Sequence, residues 1–374
     1  MDLDPPSSSS IPTLRSQKQI LQEEFGTLDS AHVFNEIITW QSFLRVPPTE
    51  TWTTLKLPYQ APNCPHLPSL GQILEVNEQH GLRKNNGLHD VCKIGDTIIK
   101  LSADPNIVEE AENLLFVAEN LPQLRVPTVL AVWEALSEVN TVVYCLMMNY
   151  IEGFTLRHEE MAKFPEKALD IICAKVSAQI RDLRSLPSEG YYGRVHRQGW
   201  LHPPSGILPT PTPVLSVSGT YSTYQEFTSA IYRSYEWHKA VGVCMEEFPP
   251  GYASRVAELW SIFSGWESHE LKFTWIDLKI ENMVVRPVKD DARNKDWEVF
   301  LIDWECAGWY PAWVQSMQFY QRCHVKIRDQ TQLDKYGKHP FVFYYRNAEI
   351  ERLMIKDFDP NPDRERLHKT TEND

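Results

Sequence analysis

Two neighbouring phrases, Phe273–Asn282 (FTWIDLKIEN) and Phe300–Trp309 (FLIDWECAGW), constrain the fold of this chain more than any other feature. Met283, Val284 and Val285, then Val299, Phe300, Leu301 and Ile302, form apolar, β-branched runs on either side of the charged segment Arg286–Trp297. Such runs read as two strands of a hairpin with a long tip. Asp277 and Asn282 precede the first strand and Asp303 ends the second, so three polar groups arrive at one end of the hairpin. Apolar strands hold polar ends rigidly, where a ligand can meet them.

A chain of 374 residues exceeds what one hydrophobic core usually serves, and two lobes are expected. The formal net charge of −13 argues against nucleic acid as a partner, since phosphate neutralisation needs clustered Lys and Arg, and it mildly favours a cationic ligand. Seven widely spaced cysteines, none in a CxxC pair, speak against a disulfide framework and against a zinc site. The N-terminus, MDLDPPSSSS, is acidic where a signal peptide would be basic, and no window approaches the run of about 18 apolar residues that a membrane span needs. A cytoplasmic protein without a membrane partner is the expectation.

The first 15 residues are Ser- and Pro-rich and read as disordered, and the segment 356–374 reads as a flexible charged tail. Between them, 16–88 reads as a helical extension packed on the first lobe. It holds an amphipathic stripe through Val33, Ile37, Trp40 and Leu44, a Pro-rich connector, and a second helix opened by the capping box Ser69–Gln72. Residues 89–150 read as the first lobe. DVCKIGDTIIKLS folds as two strands around Gly95-Asp96, with Lys100 at the end of the second. Asp104 and Pro105 then open a helix with a buried stripe of Ile107, Ala111, Leu114, Leu115 and Ala118. At about 100° per residue Glu110 falls at the stripe's edge while Glu109 and Glu112 point away. A carboxylate beside a core seeks a cation, and Lys100 is the candidate. Val126–Trp133 and Thr141–Tyr150 form a second hairpin, whose apolar second strand runs into a break at Ile151-Glu-Gly153 that could hinge two lobes. Residues 151–355 read as the second lobe, with helices from Ala168, Tyr224, Tyr252 and Ala312, and an aromatic, Pro-rich insertion from Tyr191.

This order of features resembles the protein-kinase-like fold, in its aminoglycoside phosphotransferase and choline kinase-like branch. The phrases EAENLLFVAENL, MNYIEGFTL and LIDWECAGWYP look like fungal-type members of it, over roughly Asp90 to Tyr320. The resemblance implies an α+β bilobal fold: a small antiparallel-sheet lobe with one key helix, and a larger, mainly helical lobe. It implies ATP as donor, Mg²⁺ as cofactor and a hydroxylated small molecule as acceptor. In that reading Lys100 holds the α and β phosphates and is steadied by Glu110. Asn282 and Asp303 bind the metal, and Asp277 takes the acceptor's proton. The hinge meets adenine through the backbone around Met148, Asn149 and Ile151, where side-chain identity matters little.

Where the branch writes His-Gly-Asp-x-His-x-x-Asn, this chain has Trp275-Ile276-Asp277-Leu278-Lys279-Ile280-Glu281-Asn282. Trp275 can take over a packing role. Ile276 cannot adopt the left-handed backbone open to glycine, so a different loop is expected. Lys279 gives the loop a protein-kinase look, in which a cation faces the transferring phosphate. Two alternatives stand beside the small-molecule kinase: a binding module that kept the fold without turnover, and a protein kinase, which the missing Ala-Pro-Glu segment disfavours.

Overall fold

The computed structural model describes residues 15–33, 53–82, 90–156, 164–200, 219–242, 269–277, 279–288, 296–312 and 314–315. The helices expected over 33–44, 252–266 and 312–324, the terminal stretches 1–15 and 356–374, and most of the insertion lie wholly or largely outside them.

Helix α1 (Gln17–Phe25) opens on a reciprocal capping box, in which Ser16 Oγ accepts from Gln19 N and Gln19 Oε1 accepts from Ser16 N at 2.8 Å. Strand β1 (Tyr59–Gln60) follows, then α2 (Leu70–His80), which opens on the expected Ser69–Gln72 box. Next come β2 (Asp90–Ile94) and β3 (Thr97–Ser102), closed by Gly95 at φ 58°, a conformation that suits glycine. Helix α3 (Asn106–Asn120) starts one residue after Pro105, and Asp104 Oδ1 accepts from Asn106 N at 3.2 Å. Strands β4 (Val129–Leu136) and β5 (Val142–Asn149) form the second hairpin.

These strands make one antiparallel sheet in the order β1-β4-β5-β3-β2. Strand β5 lies at its centre and is buried on both faces, as its unbroken apolar run requires: Tyr144, Leu146 and Met148 face α3, and Cys145 and Met147 face the opposite layer with Ile73 of α2. The small first lobe is thus a sheet with one helix docked on its inner face.

The second lobe adds β6 (Phe154–Thr155), α4 (Glu166–Arg184), α5 (Tyr224–Gly242), β7 (Leu271–Thr274), β8 (Met283–Pro287), β9 (Trp297–Leu301) and β10 (Gly308–Pro311). Strands β6, β8 and β9 form one sheet, and β7 pairs with β10. The β8–β9 hairpin is longer than its apolar residues suggest, because Arg286 and Glu298 face each other across the strands and form an ion pair. One continuous core joins the lobes, with Val108, Leu114 and Leu146 in the same cluster as Ile172, Val176, Phe273, Met283 and Leu301. The architecture is α+β and two-lobed, in the order the resemblance implies.

The N-terminal extension does not keep to the first lobe. Helix α1 packs against α5 of the second lobe, while α2 packs against β2 and β1 extends the sheet beside β4. Its buried Ile20 and Leu21 give α1 an apolar face that needs such a partner. Among the described residues no helix is long and apolar enough to cross a membrane, and Cys64, Cys92, Cys145, Cys173 and Cys306 carry free thiols.

Candidate functional site

Lys100 sits on β3, opposite Val91 of β2 on one side and Leu146 of β5 on the other, so a strand on each flank fixes its place. Its Nζ lies 2.7 Å from both carboxylate oxygens of Glu110 on α3 and 3.1 Å from Asp303 Oδ1. Glu110 is buried and also accepts from Trp304 N at 3.4 Å. Burial alone would lower the affinity of Lys100 for its proton. The charges of Asp303 and then Glu110 outweigh it and hold the ammonium well above the ordinary lysine range.

The other polar groups arrive at the end of the β8–β9 hairpin. A single turn over Ile280–Asn282 leads into β8, and Ile302 N donates to Asn282 O at 2.9 Å, so the residues flanking the hairpin stay in register beyond its last rung. Asn282 Nδ2 donates to Asp277 Oδ2 at 2.7 Å, which leaves the amide oxygen as its acceptor end. Lys279 Nζ pairs with the same Asp277 oxygen and lies 4.0 Å from Asp303 Oδ2. Asp303 itself has φ 69°, a left-handed backbone that turns its carboxylate off the line of β9.

Both unusual residues of the loop are accommodated. Trp275 is buried, stacks on Trp304 with ring centroids 5.9 Å apart, and donates Nε1–H to the Asp303 carbonyl at 3.0 Å. It therefore packs as expected and also holds the Asp303 turn. Ile276 is not among the residues with a left-handed backbone; it points into a second apolar cluster with Tyr192, Trp200, Tyr221, Phe227 and Tyr310. Asp277 and Asn282 are held together by their own hydrogen bonds, from Asn282 Nδ2 to Asp277 Oδ2 and to the Asp277 carbonyl.

Glu305 belongs to this cluster, although the sequence reading did not single it out. Its Oε2 accepts from Asn106 Nδ2 of α3 at 2.9 Å. Burial, and then the charge of Asp303, push its carboxyl up to about 8. The available signal was its place two residues after Asp303 in IDWE. A folded group that keeps its proton to about pH 8 while the unfolded chain releases it near 4.5 lowers stability as pH rises through that window. Asp296 and Glu298, held below the carboxylate range by hydrogen bonds from Lys175 and Arg286, contribute stability already complete above about pH 5. In divalent-free buffer, Glu305→Gln should therefore gain in thermal midpoint over the wild type from pH 5 to 8. A flat difference would show that Glu305 is ionised throughout.

Glu109 and Glu112 overturn an expectation. They do not point to solvent; they are 1% and 2% exposed and bind Arg194, itself 0% exposed, at 2.6 and 2.5 Å. Glu112 also accepts from Thr54 N at 2.7 Å, Thr54 Oγ1 at 2.8 Å and Leu55 N at 3.2 Å. A face of α3 that looks polar by periodicity is buried because a guanidinium from the insertion covers it.

At the hinge, Met148 is buried at the end of β5. Asn149 exchanges hydrogen bonds with Thr128, donating N–H at 3.1 Å and accepting at Oδ1 at 2.6 Å, so its side chain does matter to the strand's end. Among the described residues the Ile151 N–H has no hydrogen-bond partner. Lys279 Nζ sits between the Asp277 and Asp303 carboxylates. Among the described residues no group of three or more His, Cys, Asp or Glu side chains is placed to hold a metal ion on its own, whereas a magnesium ion shared with phosphate and water asks only one or two carboxylates of a protein.

No family model matches the chain, and no curated protein matches it. Several solved structures do. Aminoglycoside phosphotransferase APH(4)-Ia, in ternary complex with AMP-PNP and hygromycin B, is similar over 78% of this chain and 92% of its own, at 14% identity and a TM-score of 0.43. A fructosamine-3-kinase of Haemophilus somnus aligns over 76% of this chain and 96% of its own, at 14% identity and a TM-score of 0.42. The ternary complex of streptomycin, ATP and APH(2″)-IIa covers 78% of this chain and 88% of its own, at 12% identity and a TM-score of 0.41.

Proposed function

We propose that the chain is an ATP-dependent phosphotransferase that moves the γ-phosphoryl group to a hydroxyl of a small molecule. The observation that carries this reading is the meeting of Lys100, Glu110 and Asp303, the first and last 203 residues apart, beside the Asp277–Asn282 pair. Phosphoryl transfer asks a protein to position two reactants and neutralise phosphate charge, and these groups can do both.

Lys100, steadied by Glu110, binds the α and β phosphates of the donor. The unpartnered Ile151 N–H, with the backbone of Met148 and Asn149 beside it, receives the adenine edge. Asn282 and Asp303, with Glu305 alongside, would hold Mg²⁺, which supplies charge neutralisation on the β and γ phosphates. Magnesium takes only one or two carboxylates from a protein and shares its other positions with phosphate and water. Asp277 accepts the acceptor hydroxyl's proton as the new O–P bond forms; the bond from the γ-phosphorus to the β–γ bridging oxygen breaks and ADP leaves. Lys279, resting on Asp277, turns to the γ-phosphate and offsets charge in the transition state.

The acceptor side is bounded by the aromatic cluster beneath Ile276 and by α5. With a net charge of −13 the chain favours a cationic acceptor over an anionic one. The finer placement among fungal-type members rests on the three sequence phrases, and a cytoplasmic setting is supported by the free thiols.

One observation favours the second reading, a binding module without turnover: Asp277 Oδ2 is engaged by both Lys279 and Asn282. The two readings separate when purified protein and Mg·ATP are offered a library of amino sugars, choline-like amines and other hydroxylated metabolites, with Asp277→Ala as control. Turnover that disappears in the variant is expected. Nucleotide binding with no turnover across the library would select the binding module.

A further inference from the structure

We infer that Arg194 is a positioning residue that holds Glu110 on Lys100 from the opposite lobe. The inference rests on the phosphotransfer reading for its consequence in nucleotide binding. Its basis is a buried node that the proposed chemistry does not use.

Arg194 is mounted firmly on the second lobe. Its N–H donates to Gln198 O at 2.8 Å, its carbonyl accepts from Tyr191 Oη at 2.8 Å, and adjacent Gly193 exchanges backbone hydrogen bonds with Trp309 of β10 at 3.0 and 2.7 Å. From there the guanidinium reaches Glu109 and Glu112, which flank Glu110 on α3. A rotation or outward swing of α3 that parted Glu110 from Lys100 would also draw Glu109 and Glu112 off Arg194. It would separate three buried charges from their partners. Glu112 further ties the helix to Thr54 and Leu55 of the N-terminal extension, so two segments distant in sequence meet at one turn of α3. The helix that carries Glu110 is clamped in its productive pose and not left to swing.

The test uses the full chain and a neutralised node, Glu109→Gln/Arg194→Met/Glu112→Gln, because Arg194→Met alone leaves two buried carboxylates and can unfold the protein. Arg194→Lys, which keeps a cation of different shape, is measured beside it. Readouts are Mg·ATP affinity, hydrogen exchange across α3, and a cycle with Glu110→Gln. The folded triple variant is expected to bind Mg·ATP about tenfold more weakly, and Glu110→Gln to add less than about twofold on top of it while costing about tenfold in the wild type. The α3 amides should exchange faster and those of β3 should not. Arg194→Lys should fall between, and it decides alone if the triple variant does not fold. Wild-type affinity with unchanged α3 protection, or losses that simply add, would overturn the inference. If the wild type itself binds no Mg·ATP, the phosphotransfer reading fails separately. Exchange across α3 then judges the clamp: faster supports it, unchanged sinks it.

Discussion

Asp277→Asn is expected to lower kcat by about 10²–10⁴-fold with little change in nucleotide affinity. Asparagine is the informative substitution because Asp277 has two tasks. Its carboxylate anchors Asn282 through a 2.7 Å hydrogen bond, and in the proposed reaction it takes the acceptor's proton. An amide oxygen still accepts from Asn282, so the metal-side geometry survives, but it cannot accept the proton. Alanine removes both functions. The contrast between the two variants therefore divides the loss into a chemical part and a positional part. If asparagine turned over at the wild-type rate while alanine failed, Asp277 would be an anchor for Asn282 and not a base.

Arg194→Met should cause the largest loss of stability, about 3–5 kcal/mol, because it breaks a fully buried ion triad from its centre. Two buried carboxylates would remain without their cation, Glu112 with only its hydrogen bonds from Thr54 and Leu55. Neutralising all three members recovers most of that loss, since a well-packed neutral replacement avoids the desolvation cost. Urea denaturation of the two variants against the wild type measures both effects. A single-variant loss under about 1 kcal/mol would mean that water reaches the node in solution.

The parts of the site that share a local signal were legible. Lys100 and Glu110 could be paired because the helix stripe put Glu110 at the edge of a core and the strand put a cation near it. Asp277, Asn282 and Asp303 could be grouped because a hairpin brings its two ends together whatever the loop contains. Glu109 and Glu112 were misread for the converse reason. Periodicity fixes which way a residue faces but not what covers it, and Arg194 lies 85 and 82 residues away in an aromatic loop. Strand β1 left no pattern, since two residues in a Pro-rich connector carry no period. Trp275 was legible as packing, but its hydrogen bond to the Asp303 carbonyl depends on a left-handed turn that no local rule assigns to Asp303. Ile276 was expected to force a different loop; side-chain hydrogen bonds hold Asp277, Lys279 and Asn282 together.

Lys100, Glu110, Asn282 and Asp303 are proposed to form a magnesium–nucleotide site. Calorimetric titration with AMP-PNP, in the presence and absence of Mg²⁺, tests it most directly on the wild type and on Lys100→Met, which keeps the stem that packs against β3's neighbours and removes the charge. The expected result is saturable binding that needs Mg²⁺ in the wild type and is lost in a variant that melts as a folded protein. Binding that ignores Mg²⁺, or that persists undiminished without the Lys100 ammonium, would contradict the account.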